Sequence, residues 1–193
     1  MIQLILGGAR SGKSRYAEQQ VTLLQQQHNL PVTYIATATN IDEEMAQRIQ
    51  RHQQDRPKDW QLQEISLQVA EYLHTANQQN QSEIILIDCL TLWLNNQLYH
   101  YPEQHFETLI GTLTAALTTA SAAETAQEKH LILVANEVGL GVIPMGATTR
   151  KFVDWSGWMN QAVAQIADEV TFIAAGLPLY LKSRSAPLIN STR

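Results

Sequence analysis

Eight residues near the start of the chain, Gly7-Gly8-Ala9-Arg10-Ser11-Gly12-Lys13-Ser14, constrain the fold more than any other stretch. They fit G-x-x-x-x-G-K-[ST] at every fixed position. The apolar run Ile2–Leu6 in front of them reads as a buried strand, and Ser14–Gln27 behind them, free of Gly and Pro, reads as a helix. A strand, such a loop and a helix in that order make a phosphate-binding loop. Glycines let the backbone curl around an anion with its N–H groups inward, and the helix N-terminus adds partial positive charge. Lys13 then reaches the outer phosphates and the Ser14 hydroxyl holds magnesium. The chain is expected to bind a nucleoside triphosphate.

The rest of the pattern alternates. Pro31 is followed by a β-branched strand over Val32–Ala38, and Asn40 with Glu43 reads as a capping pair for a helix from Asp42 to Gln54 that Arg56-Pro57 ends. A helix is expected over Ile65–Gln79, then a strand over Glu83–Asp88, whose four consecutive apolar residues suit burial on both faces. Helices are read over Cys89–Asn96 and Pro102–Lys129, a strand over Leu131–Ala135 and a helix over Thr148–Asp168. Strands at Val170–Ala174 and Leu179–Lys182 precede a loose C-terminal tail. Alternation of this kind implies an α/β fold in three layers, a mostly parallel central sheet with helices on both faces. Residues 1–193 are read as one domain, since no linker or repeat divides them.

Charge and composition narrow the function. A net charge of −5 argues against broad nucleic-acid binding, and no apolar run approaches the roughly 20 residues of a membrane span. Nothing at the N-terminus reads as a signal peptide, and the single Cys89 fits a reducing cytoplasm. Nine of the thirteen Lys and Arg fall in three stretches: Arg10, Lys13 and Arg15; Arg48, Arg51, Arg56 and Lys58; Arg150 and Lys151. Such focused charge suits an anion, or else a set of solvated helix faces. Asp88 ends a buried strand, where a carboxylate takes magnesium, or else caps the following helix. Arg48 and His52 share a helix face, and a neighbouring cation favours the neutral imidazole, the nucleophilic form. Asn136-Glu137-Val138-Gly139, Thr37 and Glu64 stand at strand ends or near them and are weaker candidates for the same rim. His28, His74, His100, His105 and His130 are read as surface residues, and Trp60, Trp93, Trp155 and Trp158 as core or interface.

Taken together, GGARSGKS at 7–14, YIATA at 34–38, RIxxHxxxRPxxW from Arg48 to Trp60, Glu64, IDCLTLWLNN at 87–96 and NEVGLGVIP at 136–144 form a specific set. So do Arg150 through DEV at 168–170 and GLPLYLK at 176–182. With these the chain resembles, over nearly its whole length, the bifunctional adenosylcobinamide kinase / adenosylcobinamide-phosphate guanylyltransferase family. The resemblance implies a RecA-like P-loop NTPase fold, a homotrimer, and two reactions. The hydroxyl of adenosylcobinamide is phosphorylated from ATP or GTP, and GMP then passes from GTP to adenosylcobinamide phosphate, with pyrophosphate released. It implies further that His52 carries GMP covalently. Ala36, Thr37, Ala38, Gln53, Gln54, Asp55, Arg56, Glu64 and Asp88 would contact the guanine nucleotide with the phosphate loop. Whether Asp88 meets magnesium or ribose stays open at this point. A P-loop kinase of another small alcohol, or a non-catalytic nucleotide switch, are the competing readings.

Overall fold

Strands β1 (Ile2–Gly7), β4 (Glu83–Asp88) and β5 (Lys129–Asn136) are apolar on both sides, so they are stable only where helices cover both faces of a sheet. A computed structural model, which describes residues 1–39, 57–79, 81–122 and 128–183, shows that arrangement. The seven strands lie in the order β3-β2-β4-β5-β1-β6-β7, with β2 at Val32–Ala36, β3 at Gln61–Glu64, β6 at Glu169–Ala174 and β7 at Leu177–Lys182. All neighbours run parallel except β6 and β7.

Alternate residues feed two cores. Leu4, Leu6, Ile85, Ile87, Leu131 and Leu133 face one side, under helices α2 (Val69–Gln78), α3 (Leu90–His100), α4 (Phe106–Ser121) and α5 (Ala147–Ile166). Ile5, Ile84, Leu86, Ile132 and Val134 face the other, where Ala17 and Val21 of α1 (Lys13–His28) and the indole of Trp60 pack. The expected three-layer α/β architecture is therefore present. The helix expected over 42–54, and the tail from 184 onward, lie outside the described residues.

Three of the departures from the sequence reading have a clear tertiary cause. The helix expected from Ile65 begins at Val69. The Trp93 indole N–H and the Gln97 amide donate to the Leu67 carbonyl (2.8 and 2.9 Å), and Asn96 to that of Ser66 (3.1 Å). Those bonds hold residues 66–67 to α3 as a bend ahead of the helix. Before them, Gln61–Glu64 forms an edge strand that pairs with β2, although all four residues are exposed. The helix expected over Pro102–Lys129 is confined to Phe106–Ser121. Lys129 instead pairs with Glu83 in the sheet, and its buried ammonium donates to the Ala76 carbonyl (2.7 Å).

Strand register puts the carboxyl ends of the parallel strands on one edge. Glu64 lies beside Ala36, Ala36 beside Asp88, Asp88 beside Val134, and Asn136 beside Gly7. In open α/β sheets this edge is where ligands bind.

Candidate functional site

The phosphate loop leaves β1 at Gly7 and enters α1 at Lys13. Arg10 and Gly12 adopt left-handed backbone (φ 57° and 94°), and the Ser11 N–H returns to the Gly8 carbonyl (3.2 Å). Gly12 occupies the N-cap position of α1 and no side chain caps the helix. The N–H groups of its first turn, which have no intrahelical partner, are left for an anion. The Ser11 hydroxyl is buried and has no partner among the described residues, a second polar group suited to a ligand oxygen. Lys13 Nζ lies 3.3 Å from the Gly8 carbonyl oxygen, so the ammonium is held over the loop.

The loop is braced from a direction the sequence reading did not anticipate. Ala175 and Gly176 both take positive φ (51° and 78°), the two-residue turn that joins β6 to β7. From its tip the Gly176 N–H donates to the Ser11 carbonyl (2.8 Å). A two-residue gap ending in glycine between apolar runs was the available signal. Gly7 is just as confined, because a Cβ there would meet the Ile173 carbonyl oxygen at 2.6 Å and Ser11 Oγ at 2.5 Å. The carbonyl is backbone and cannot yield. We expect Gly7→Ala to cost roughly 1–3 kcal/mol of stability and to raise the KM for nucleotide, measured by thermal unfolding and steady-state kinetics. An unchanged Tm and KM would refute this account of the loop.

Asp88 ends β4, separated from β1 by β5 alone. It does not cap α3: Cys89 occupies that position, with no side-chain capping bond. Its Oδ2 accepts from the Tyr34 hydroxyl (3.1 Å), a partner contributed by β2. No described Lys, Arg or His lies within ion-pair distance of the carboxylate. The Cys89 thiol next to it is pushed up to about 12, first by burial and then by the Asp88 charge, while the Lys13 charge pulls it down. Both charges of the site are thus felt at one buried atom, and Cys89 stays a neutral thiol. Asp88 and the Ser14 hydroxyl are oxygen donors of the kind magnesium takes.

Thr37 is fully buried, and its hydroxyl is already committed. It donates to the Cys89 carbonyl (2.7 Å) and accepts from the Cys89 N–H (2.9 Å), while Asn96 donates to the Thr37 carbonyl (2.9 Å). Its side chain therefore shapes the site by pinning the end of β4 to the end of β2. Thr37→Val keeps the volume but strands two buried backbone groups, a loss of roughly 1–3 kcal/mol. Urea unfolding should show it as a lower midpoint at unchanged m-value, and an unaltered midpoint would count against the clamp. On the other flank, Asn136 N–H donates to Thr91 Oγ1 (2.6 Å), and Glu137 N–H to the Gly7 carbonyl (3.1 Å). Glu64 and Ala36 share the rim, with Glu64 exposed. His52, Gln53, Gln54, Asp55 and Arg56 lie outside the described residues.

The third cationic stretch, Arg150 and Lys151, bonds to backbone carbonyls. Arg150 Nη1 donates to the carbonyls of Pro144 and Met145, and Lys151 Nζ to that of Pro102 (2.7 Å) while lying 4.7 Å from the Trp155 ring centre. These cations hold loops together at their backbone oxygens. Trp60, Trp93 and Trp155 are buried as expected, and Trp158 is half exposed. Leu140, Val142, Ile143 and Met145 stand out from the 137–146 loop, and a cavity of about 470 Å³ opens between it, α5 and β7. Among the described residues, no helix is long and apolar enough to cross a membrane.

Comparison with known proteins gives a consistent result. Residues 3–181 match the family model described as cobinamide kinase / cobinamide phosphate guanyltransferase. A bifunctional adenosylcobalamin biosynthesis protein CobP of Pseudomonas aeruginosa is 42% identical over 182 residues, 94% of this chain and 98% of that protein. The bifunctional adenosylcobalamin biosynthesis proteins CobU of Escherichia coli and Salmonella typhimurium are each 35% identical over 188 residues, 94% of this chain and the whole of theirs. Among solved structures, an ATPase domain matches with a TM-score of 0.59 over 96% of this chain and 78% of that one. At 14% identity that likeness speaks for the P-loop fold alone.

Proposed function

The chain belongs to the cobinamide kinase / cobinamide phosphate guanyltransferase family, and on that footing we propose that it carries out two successive transfers at one phosphate cradle. In the first, the γ-phosphoryl group of ATP or GTP passes to the hydroxyl of adenosylcobinamide. In the second, GMP passes from GTP to adenosylcobinamide phosphate. The observation that carries this reading is the shared edge on which an uncapped helix N-terminus, Lys13 and Asp88 stand.

His52 is the nucleophile of the second transfer. Its neutral imidazole attacks the α-phosphorus of GTP, a P–N bond forms, and the bond from that phosphorus to the α,β-bridging oxygen breaks. Pyrophosphate leaves. A phosphate oxygen of adenosylcobinamide phosphate then attacks the same phosphorus and breaks the P–N bond, which frees His52. The Gly7–Ser14 loop and Lys13 hold the β- and γ-phosphates in both reactions, first around the group being moved, then around the group that departs. Ser14 and Asp88 would hold magnesium, which supplies positive charge to the phosphates. Ala36 and Ala38, Gln53–Arg56 and Glu64 contact the guanine nucleotide, while Thr37, fully buried with its hydroxyl and its backbone N–H both committed, holds the segment between them in place. We further propose a homotrimer working in the cytoplasm; the exposed apolar residues of the 137–146 loop, several of them more than three-quarters accessible, support a self-associating surface.

The test is to incubate the protein with magnesium and GTP labelled at the α-phosphate, denature it and count label on the chain. Label from α- but not γ-labelled GTP is expected, stable to alkali and lost in acid as a phosphoramidate is. If phosphorylation of adenosylcobinamide proceeds and no adduct forms, the guanylyltransferase reading fails and a plain P-loop kinase remains.

A further inference from the structure

At the amino edge of the sheet, across the molecule from the phosphate loop, two histidines and a glutamate converge. His28 is the last residue of α1, Glu128 stands just before β5, and His130 is the second residue of that strand. His130, read from the sequence as a surface residue, is only 6% exposed. We propose that His28, Glu128 and His130 form a metal site for zinc(II) or a similar borderline divalent ion.

The geometry carries the proposal. His28 Nδ1 lies 2.8 Å and His130 Nε2 2.9 Å from the same oxygen, Glu128 Oε1. All three donor atoms fall within 4.8 Å of one another. The two rings are inclined at 50° with centres 4.8 Å apart, and one nitrogen of each faces the Glu128 carboxylate. Around a tetrahedral ion with bonds of about 2.0–2.1 Å, ligand atoms sit roughly 3.3 Å apart. Each N···O separation therefore needs to open by about half an ångström, and the two nitrogens, up to 4.8 Å apart, to close by as much as about 1.5 Å, which rotation of the accessible His28 ring can supply. The buried His130 ring fixes one ligand on the sheet, while His28 and Glu128, both partly accessible, can adjust and give an ion a way in.

Donor chemistry selects the ion. Two imidazoles and one carboxylate suit zinc and its neighbours, whereas magnesium and calcium prefer all-oxygen shells. Three protein ligands leave one position for water. Because His28 ends the helix that begins at the phosphate loop, the ion would tie that helix's far end to β5, the strand beside β1. The competing account is that two N–H···O hydrogen bonds to Glu128 are the whole of the arrangement.

To separate the two, chelator-stripped full-length protein is titrated with cobalt(II) in excess magnesium, which occupies all-oxygen sites. One equivalent should produce the visible absorption of a four-coordinate ion with nitrogen ligands, and zinc should displace it. His28→Ala and Glu128→Gln, both at accessible positions, should weaken binding at least roughly tenfold with unchanged circular dichroism. They should also abolish the zinc-dependent rise in Tm, while His52→Ala should leave the metal binding intact. Failure of the wild type to take up a stoichiometric ion, or binding by the His28 and Glu128 variants equal to wild type, overturns the proposal.

Discussion

Lys13→Ala is expected to lower both phosphorylation of adenosylcobinamide and GMP transfer, each by about 10²- to 10³-fold in kcat, the usual effect of losing one charged contact to a transition state. Besides the exposed Arg10, the loop offers nucleotide phosphates the backbone N–H groups at an uncapped helix start and the Lys13 ammonium beside the Gly8 carbonyl. In the proposed kinase step that charge would face the migrating γ-phosphoryl group, and in the proposed GMP step the departing pyrophosphate. A common cradle therefore makes the two losses run together. The side chain is partly exposed and its one described bond is to the loop itself, so Tm should stay within the range of a surface change. Parallel assays of the two reactions check the result. Survival of either one at wild-type rate would mean that two separate phosphate sites serve them.

The second large effect is His52→Ala. Removal of a covalent nucleophile, the role proposed for His52, costs on the order of 10⁴- to 10⁶-fold in rate, so GMP transfer and the acid-labile adduct should fall below detection. Phosphorylation of adenosylcobinamide should continue, because the proposed kinase reaction would pass the phosphoryl group directly to the substrate hydroxyl. The split between the two activities is the diagnostic feature, and it distinguishes His52 from Lys13. A variant that still transfers GMP would remove His52 from the mechanism.

Much of this was legible from one-dimensional pattern because the relevant signals are local. The phosphate loop needs Gly12 for its left-handed turn and an amino-terminal helix end directly behind it, and both are contiguous in the chain. The runs Ile84–Ile87 and Leu131–Ala135 are apolar on every residue, which only a doubly covered strand tolerates. Gln61–Glu64 carries no such signal, being exposed throughout and polar but for Leu62. It is a strand because β2 offers an unpaired edge of backbone donors and acceptors, a property of the partner and not of its own side chains. His130 escapes sequence reasoning for a related reason. Its neighbours in sequence suggest nothing, whereas its burial and its approach to His28 come from elements about a hundred residues apart meeting at one sheet edge.

Local sequence thus decided most of the strands and helices, Gln61–Glu64 excepted, and where an anion would be cradled, since those depend on backbone geometry and on side-chain periodicity over a few residues. It also carried the family resemblance, through motifs whose spacing can be read without coordinates. Only the tertiary structure decided what surrounds them. Parallel register carried Asp88 and Asn136 to the edge that holds Gly7, the β6–β7 turn came to bear on the Ser11 carbonyl, and Thr37 was turned inward to clamp Cys89. Each of these is a contact between residues far apart in the chain. Such contacts depend on how strands order themselves when both faces must be buried, and no short window of sequence contains that information.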